Sequence, residues 1–452
     1  MPKLRKIILL LCFFLITNSF SQKKQLLYNF AELPQTLLLN PGAETNFNYH
    51  MGVPLLSGIS TEIGSSGFSL SDIFSVDNRT INDKISQIVE SLSSNDYVQF
   101  NVQLDLFNAG FRLNNNTYIS FGFYGELDGI IYTPKDLLVL ATEGNYNYLN
   151  KSFQLSHGAL KIDALGVLHV GFTKKVNENL TFGSRFKIYS SVLNAESLNN
   201  YGTFTTRNGS NNVYAYYLDN ANLKLRTSGL IEGENQYIEN AFFGDNMGIG
   251  FDVGFTYHIS DQIEVTGSVV DVGFIKYSKL IENTSITGSY MYEGVAYEYD
   301  PENPSSFVEL IGGSFREEVT TVQNEESYVS LRPAKVNASF AYSFGMKRSI
   351  YCFDNTFKDF FSNTLGVQMH VVHRPLSIQH AFTGFYQRML SQRVHTKVTY
   401  TIDNYSSNNI GVGLSAQVGK LNFYGMVDNI LQFTNIAAAN SISAQLGFNL
   451  IF

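Results

Sequence analysis

The sequence has no tryptophan, only two cysteines, nine prolines and no apolar run long enough to form a membrane-spanning helix. Such a helix needs about 20 apolar residues, whereas the longest candidate, 7–16, holds ten. Two cysteines, one of them within that run, exclude a disulfide framework and a cysteine metal cluster. The formal net charge of −8 argues against nucleic-acid binding, which requires a basic face. Helical membrane proteins and nucleic-acid-binding proteins are therefore set aside.

The N-terminus has the three parts of a secretory signal. Lys3, Arg5 and Lys6 precede the apolar run, and Ser19-Phe20-Ser21 places small residues at the two positions that a signal peptidase reads. We expect residues 1–21 to be a signal peptide that is cleaved before Gln22. The chain is then exported, and Cys352 is its single cysteine.

What the sequence has in abundance is aromatic residues and glycine: 27 tyrosines, 36 phenylalanines and 36 glycines. The last eleven residues alternate apolar and polar side chains and end on Phe452. About ten alternating residues suffice for a tilted β-strand to cross a bilayer. In bacterial outer-membrane barrels a C-terminal phenylalanine is the mark read by the barrel-assembly machinery. The pattern predicts that this strand closes such a barrel, with Phe452 as the assembly signal.

The same alternation recurs along the chain and predicts twelve further strands. They are 97–107, 117–127, 163–172, 179–190, 247–258, 263–275, 335–345, 363–373, 378–388, 393–402, 409–418 and 421–428. In 163–172 and 263–275 the alternation slips, which predicts a bulge in each. If the last strand descends to the periplasm, the first of these strands also descends, so an ascending strand must precede it near 47–63. The sequence thus predicts about 14 strands, with 12 and 16 as alternatives.

Loop lengths provide an independent test of this direction, since outer-membrane barrels have short periplasmic turns and long extracellular loops. The long links 128–162, 191–246 and 276–334 all fall outside, and only the link 346–362 is long for the periplasmic side. Residues 80–94 have apolar side chains at helical spacing, which predicts a short amphipathic helix in the first outer loop. The expected fold is an all-β transmembrane antiparallel barrel over 47–452, with a plug-like lumenal or periplasmic segment at 22–46.

The segment from Leu26 through Asn40-Pro41-Gly42 resembles the start of a family of Bacteroidota outer-membrane barrels of unknown function. The likeness extends to the hairpin 247–275 and the C-terminal strands. More distantly, Asn40-Pro41-Gly42 resembles the Asn-Pro-Ala of the long-chain fatty-acid transporters (FadL-like) and of the PorP/SprF barrels linked to gliding and type IX secretion. These likenesses imply a barrel with an N-terminal segment inside or under the lumen. The same three residues also favour a simple tight turn.

Candidate site residues fall into three groups. Six belong to the N-terminal segment, as a substrate path or as plug packing: Leu37, Leu38, Leu39, Asn40, Pro41 and Gly42. Seven are expected to be lumenal and polar: Asp105, Arg185, Lys187, Asp252, Glu264, His395 and Lys397. Their mixed signs favour pairing across the interior, whereas a selective ion pore would show rings of one sign. The third group is Phe452 alone.

No catalytic motif, cofactor site or metal site emerges from the sequence. His370, His373, His380 and His395 cluster on neighbouring strands, but no Gly-x-Ser-x-Gly or His-Glu-x-x-His pattern accompanies them. The acidic loop 276–334 suits either a solvated surface or the binding of a cation or partner. We expect a non-enzyme in the outer membrane, in contact with its lipid. It is either a narrow uptake or diffusion channel for a hydrophobic or small solute, or a scaffold barrel for a secretion or surface protein partner.

Overall fold

The computed structural model describes residues 25–30, 33–210, 212–230, 244, 246–293, 319–346, 361–403, 405 and 408–452. The predicted signal peptide and nearly all of the link 346–362 lie outside these residues. In the part of the chain that is described, no helix is long and apolar enough to cross a membrane.

The backbone forms one closed antiparallel β-barrel of 14 strands. The strands are β1 (Tyr49–Gly52 and Ile59–Ser65), β2 (Tyr97–Asn114), β3 (Thr117–Tyr132), β4 (Leu160–Lys175), β5 (Leu180–Ser197), β6 (Met247–Ser260), β7 (Ile263–Tyr277), β8 (Tyr328–Leu331 and Lys335–Met346), β9 (Phe361–His373), β10 (Ile378–Ser391), β11 (Val394–Ile402), β12 (Asn409–Val418), β13 (Leu421–Asp428) and β14 (Ser441–Ile451). Each strand pairs with the next, and β14 pairs with β1, where Ala444 lies opposite Thr61. The expected strand number and the additional first strand are confirmed.

The alternation of side chains sorts them onto the two faces of the barrel wall. On β6, Ile249 and Phe251 point outward and are each 48% exposed, while Asp252 and Thr256 point inward and are buried. Strands β7, β11 and β14 repeat this arrangement. An apolar band therefore surrounds a polar interior, which is the surface distribution of a transmembrane barrel.

The bulge predicted in 263–275 is present, but the one predicted in 163–172 is wrong. The pairing of β4 with β5 does shift between Ala164 and Leu165, yet the extra residue is Val192 of β5. The alternation of β4 stays regular, and its inward Leu165 and Val167 are apolar because they pack in the cluster that Leu38 contacts.

In β7 the pairing with β6 shifts between Phe251 and Val253, so that Val270 and Asp271 both lie opposite the single residue Asp252. Asp271 has a left-handed φ of 62°, a conformation that aspartate tolerates better than most residues. This bulge restores the inward and outward facing that the alternation in β7 had lost.

The two ends of the barrel differ in the lengths of their connections. One end has turns of two to four residues at 115–116, 176–179, 261–262, 392–393 and 419–420. The other carries the three long links predicted to lie outside, together with the shorter turns 374–377 and 403–408. The short-turn end is assigned to the periplasm and the other to the outside.

The outer loops contain more structure than the sequence indicated. The predicted helix is present as α2 (Ile81–Ser91), which begins with a capping box between Thr80 and Asp83. It is preceded by α1 (Leu70–Phe74) and followed after β3 by α3 (Lys135–Glu143). Five further strands form a sheet that extends the wall outward. They are Ser152–Gln154, Tyr201–Asn208, Tyr214–Ser228, Ile281–Tyr292 and Val319–Asn324.

The outward band gives a direct test of the membrane assignment. Phe251→Arg places a charge near the middle of β6 on the lipid side and is expected to lower the free energy of unfolding by about 2–4 kcal/mol. Urea unfolding of protein inserted in phospholipid vesicles measures the change. Tyr146→Arg, at a 70% exposed loop position, is the control and should stay within about 0.5 kcal/mol. Equal effects at the two positions would contradict the assignment.

Candidate functional site

The lumen contains the N-terminal segment, residues 25–30 and 33–47. Leu26, Phe30 and Leu33 are buried in a cluster with Tyr424 and Met426 of β13. Residues Pro34–Leu38 form a 3₁₀-helix that has proline in its first turn, where the missing N–H costs no hydrogen bond. The segment therefore places apolar side chains in the barrel interior, where they pack against one another and against β13.

The three consecutive leucines pack in three directions. Leu37 belongs to a cluster with Phe47 and Tyr118, Leu38 packs beside Tyr189 and its neighbours, and Leu39 packs on the cluster of Leu26 and Phe30. A run of adjacent residues on a 3₁₀ turn points around its axis. These side chains therefore fill space on several sides of the segment.

Hydrogen bonds tie the segment to strands around the barrel. Gln35 and Asn449 of β14 exchange amide hydrogen bonds of 2.9 and 3.1 Å. Ser268 of β7 donates to the Leu39 carbonyl at 2.6 Å, and Arg185 of β5 donates to the Leu37 carbonyl. Because the contacts lie on separated strands, the segment spans the lumen and does not follow one wall.

Asn40-Pro41-Gly42 sits in a cradle of wall glycines. The Asn40 side chain accepts from the Gly42 N–H at 2.9 Å, which closes a tight turn. A Cβ added to Gly183 of β5 would lie 1.8 Å from the Pro41 carbonyl oxygen, and one added to Gly254 of β6 would lie 2.1 Å from the Asn40 amide oxygen. Only glycine permits this approach at either wall position.

Lys397 of β11 is fully buried and binds the backbone of the segment. Its ammonium donates to the Tyr28 carbonyl at 2.6 Å and to the Gln25 carbonyl at 3.3 Å. The ammonium also lies 4.5 Å from the centre of the Phe385 ring. A buried ammonium needs such partners, because leaving it without them would be costly. Lys397 thereby fastens the first turn of the segment to the wall.

Tyr28 adds a neutral anchor on β7, four strands away from Lys397 around the wall. Its hydroxyl lies 3.0 Å from the Thr266 hydroxyl of β7, and burial raises the pKa of the phenol to about 12. The hydroxyl is therefore un-ionised at physiological pH and exchanges a hydrogen bond without bringing a charge into the lumen.

Beyond the segment, toward the outside, four cations and four carboxylates form one continuous ion-pair layer. Its members in order of contact are Arg185, Asp252, Lys187, Asp271, Lys335, Glu126, Arg332 and Asp163. The shortest contacts are those of Asp271 with Lys187 and with Lys335, both 2.5 Å. All eight side chains are at most 13% exposed. Each charge has an opposite partner, as burial requires.

Part of this layer crosses the interior. Arg332 and Lys335 belong to β8, whereas their partner Glu126 lies on β3, five strands away around the wall. Arg374, in the turn after β9, likewise binds Asp128 of β3 through two nitrogens at 2.6 and 3.0 Å. These contacts join strands that lie five or more positions apart around the wall.

An aromatic cluster lies at the outer end of the lumen. Tyr97, Tyr132 and Tyr405 pack with Ile130 and Ala159, and ring centres of Tyr97 and Tyr405 are 5.9 Å apart. The Tyr132 hydroxyl lies 3.3 Å from Ser377 in the turn after β9. Three layers therefore occupy the lumen from the periplasmic end to the outer end.

The remaining predicted polar residues have separate surroundings. Asp105 is buried and accepts from Gln103 at 3.1 Å. Glu264 and His395 line a small periplasmic crevice of about 70 Å³ beside Asn29. His370 is buried and bonded to Asn337 at 2.7 Å. Within the described residues, no three His, Cys, Asp or Glu side chains are placed to hold a metal ion.

Phe452 lies at the seam of the barrel. Its backbone N–H donates to the Tyr49 carbonyl at 2.9 Å, and its carbonyl accepts from Asn48 at 2.9 Å. The Lys420 ammonium is 4.3 Å from its ring centre. The C-terminus therefore completes the pairing of β14 with β1, while its role as an assembly signal stays a prediction.

One apolar cavity opens on the outer side, between α3 and the outer sheet. It has a volume of about 410 Å³ and is lined by Leu137, Leu140, Gly144, Asn145, Leu155, Phe204 and Leu218. Five of these seven side chains are leucine or phenylalanine, and a single amide stands at the wall. Such a lining suits a mainly apolar small molecule with one polar group.

Sequence reasoning did not find Asp163, Asp271, Arg332, Lys335 or Arg374 as interior charges. Asp271 lies on a bulge, and Arg332 and Arg374 lie where strands break or turn. At such positions the alternation of side chains does not predict which residues point inward. The sequence signal that could have indicated these inward charges is a charged residue next to a strand break or turn.

The family comparison matches residues 41–428 to a family of unknown function, DUF5723. The chain belongs to the DUF5723 family. The match begins at Pro41, within the turn seated on Gly183 and Gly254, and continues through β13. No curated protein sequence matches this DUF5723 protein.

Solved structures of outer-membrane barrels align over most of the chain at low similarity. The Ralstonia pickettii toluene transporter TbuX has a TM-score of 0.41 and 9% identity, covering 97% of this chain and 100% of its own. A Pseudomonas aeruginosa FadL homologue has a TM-score of 0.42 and 9% identity, covering 93% and 94%. The NalP translocator domain from Neisseria meningitidis has a TM-score of 0.31 and 7% identity, covering 90% of each chain. Scores this low assign no function to the DUF5723 protein.

The ion-pair layer predicts a large effect of removing one central cation. Arg332→Met leaves Glu126 and Asp163 buried with fewer positive partners and should lower the free energy of unfolding by about 3–5 kcal/mol. Arg226→Met is the matched control, because Arg226 is 44% exposed and pairs with Glu196 at 3.6 Å; it should cost about 0–1 kcal/mol. Urea unfolding in vesicles measures both, and a cost for Arg332→Met no larger than the control would show that the layer is not structural.

Proposed function

We propose that this DUF5723 protein is an outer-membrane channel for a hydrophobic or small solute, closed by its N-terminal segment. The observation that carries the proposal is the way in which the segment fills the lumen. Within the described residues its covalent connection to the wall is at residue 48, and it is otherwise held by hydrogen bonds and side-chain packing. A closure of this kind can move without unfolding a strand.

The outer apolar cavity supports the solute class. It lies on the side from which an external solute arrives, and its lining favours an apolar molecule over an ion. The ion-pair layer of the lumen has four positive and four negative side chains in contact with one another, which does not suit a pore that selects ions of one sign. A neutral, largely apolar solute fits both features.

The glycine cradle provides the sharpest test of closure. Gly183→Val puts a side chain where the Pro41 carbonyl lies, while valine itself is well suited to a strand. We expect the turn to leave the wall and the single-channel conductance in planar bilayers to rise. Deleting residues 25–46 should raise it further, because the whole lumenal segment is then absent.

Gly384→Val is the matched control for this experiment. Gly384 lies on β10 on the outward face, and an added Cβ meets nothing within 4 Å there. Its conductance should equal that of the unchanged protein. If Gly183→Val and the deletion both assemble, as judged by heat-modifiable gel migration, and conduct like the control, the segment does not close a channel. A non-transporting scaffold would then be the better reading.

The apolar cavity makes a separate prediction about binding. Leu140→Glu places a carboxylate in the cavity and should weaken binding of a small apolar fluorophore, N-phenyl-1-naphthylamine, about tenfold, which is about 1.4 kcal/mol. Fluorescence titration of the detergent-solubilised protein measures this. Leu225→Glu, on the outer sheet away from the cavity and 39% exposed, is the control, and equal affinities of the two variants would rule the cavity out as the solute site.

A further inference from the structure

A second apolar surface lies at the outer rim, away from the lumen and from the apolar cavity. It is formed by α1 with Val76, and by the 3₁₀-helix Ile430–Ala438, which connects β13 to β14. We call these two helices with Val76 the rim shelf. Its exposed large apolar side chains are Leu70, Phe74, Val76, Ile430, Leu431, Phe433 and Ile436, with exposed fractions between 38% and 104%.

The two helices of the rim shelf lie side by side above three neighbouring strands, β13, β14 and β1. The Ser65 N–H at the end of β1 donates to the Asn440 carbonyl at 2.8 Å, so that the strand end and the end of the second helix are joined. Just below, Ile63 of β1 is 59% exposed on the lipid face and pairs with Ile442 of β14. The shelf therefore continues the apolar band of the barrel beyond the ends of the strands.

The rim shelf itself has almost no charged side chains, and charged residues follow where it ends. The helix 430–438 has no charged residue, and the one charge in α1, Asp72, accepts from the Ser69 N–H at 2.7 Å within a helix cap. Charged side chains begin after Val76, where Arg79 donates to Asp77 at 3.0 Å. The Arg79 guanidinium holds the pKa of the Asp77 carboxyl below its ordinary range, so that this pair is ionised and needs water. The water-facing boundary thus falls at residue 77.

The opposite side of the barrel ends differently. On β7, Lys276 points outward one residue before the end of the strand and is exposed, and the wall then continues as the outer sheet. Lysine and arginine at such positions mark the level where hydrocarbon gives way to headgroups. No comparable cation lies on the described outward face between Ile63 and Val76.

We propose that the rim shelf lies in the outer leaflet of the membrane and binds lipid acyl chains. Soluble proteins rarely expose contiguous apolar patches of this kind, whereas helices at an interface bury an apolar face about 5–10 Å into the headgroup and acyl boundary. Continuity with the lipid-facing band identifies lipid as the occupant. The shelf makes the embedded perimeter taller on the β13–β1 side and gives the barrel a fixed tilt relative to the bilayer.

The absence of tryptophan from the sequence makes the proposal directly measurable. Phe74→Trp and Phe433→Trp each introduce a single fluorophore on the rim shelf. Phe186→Trp on the lipid face of β5 is the positive control, and Tyr146→Trp on the exposed outer loop is the negative control. Each variant of the full chain is inserted into phosphatidylcholine vesicles with and without bromine on the acyl chains, and its barrel is checked by heat-modifiable gel migration.

Bromine quenches tryptophan fluorescence only at close range. For a shelf immersed by about 5–10 Å, we expect brominated lipid to lower the emission of both shelf tryptophans and of Phe186→Trp about twofold. The emission of Tyr146→Trp should change little. Shelf tryptophans that resist brominated lipid and are quenched by aqueous iodide like Tyr146→Trp would overturn the proposal. That result would mean that the shelf faces water and is open to a protein partner. Two shelf positions keep the test valid if one variant fails to assemble.

Discussion

Closing the sheet is the constraint on which the rest of this structure depends. Once β14 pairs with β1, every second side chain of 14 strands points into a confined space. This barrel is narrower than the porins of 16–18 strands that hold an aqueous channel. Inward polar groups that water does not reach must find partners in the protein. The N-terminal segment, the ion-pair layer and the aromatic cluster are three ways in which this requirement is met along the lumen.

The three layers differ in how firmly they are built. The ion-pair layer joins strands of the wall to one another, and Arg332 and Lys335 reach Glu126 across the interior. Loss of one member leaves buried charges behind, so the layer is a permanent part of the barrel. The N-terminal segment instead meets the wall through neutral hydrogen bonds, through hydrogen bonds from Lys397 and Arg185 to its backbone carbonyls, and through the close approach at Gly183 and Gly254. In the proposed channel it is therefore the segment that moves, while the wall and its ion pairs stay in place.

The outer surface follows the same separation of polar and apolar groups, with lipid in place of the lumen. The band on the strands, the rim shelf and the apolar cavity behind α3 are three apolar surfaces with different surroundings. The band and the shelf are continuous with each other, which agrees with the proposal that both contact acyl chains. The cavity is concave and carries Asn145 at its wall, which suits a single small molecule. Shape, more than hydrophobicity, distinguishes the surface for lipid from the site proposed for a solute.

The sequence by itself predicted about 14 antiparallel strands, because alternating apolar and polar side chains mark the two faces of a barrel strand. It located the bulge in β7, but it took the inward apolar residues of β4 for a second one. It also located α2 from helical spacing, and it identified Arg185, Lys187, Asp252 and Lys397 as inward residues from their parity on regular strands. Tertiary structure alone decided which of these charges meet, since Glu126 and Arg332 are 206 residues apart in sequence and are joined only when the sheet closes. The outer strands and the seat of Asn40-Pro41-Gly42 on two distant glycines escaped prediction for the same reason. Their partners lie far along the chain, and no local pattern records a contact that closure of the barrel creates.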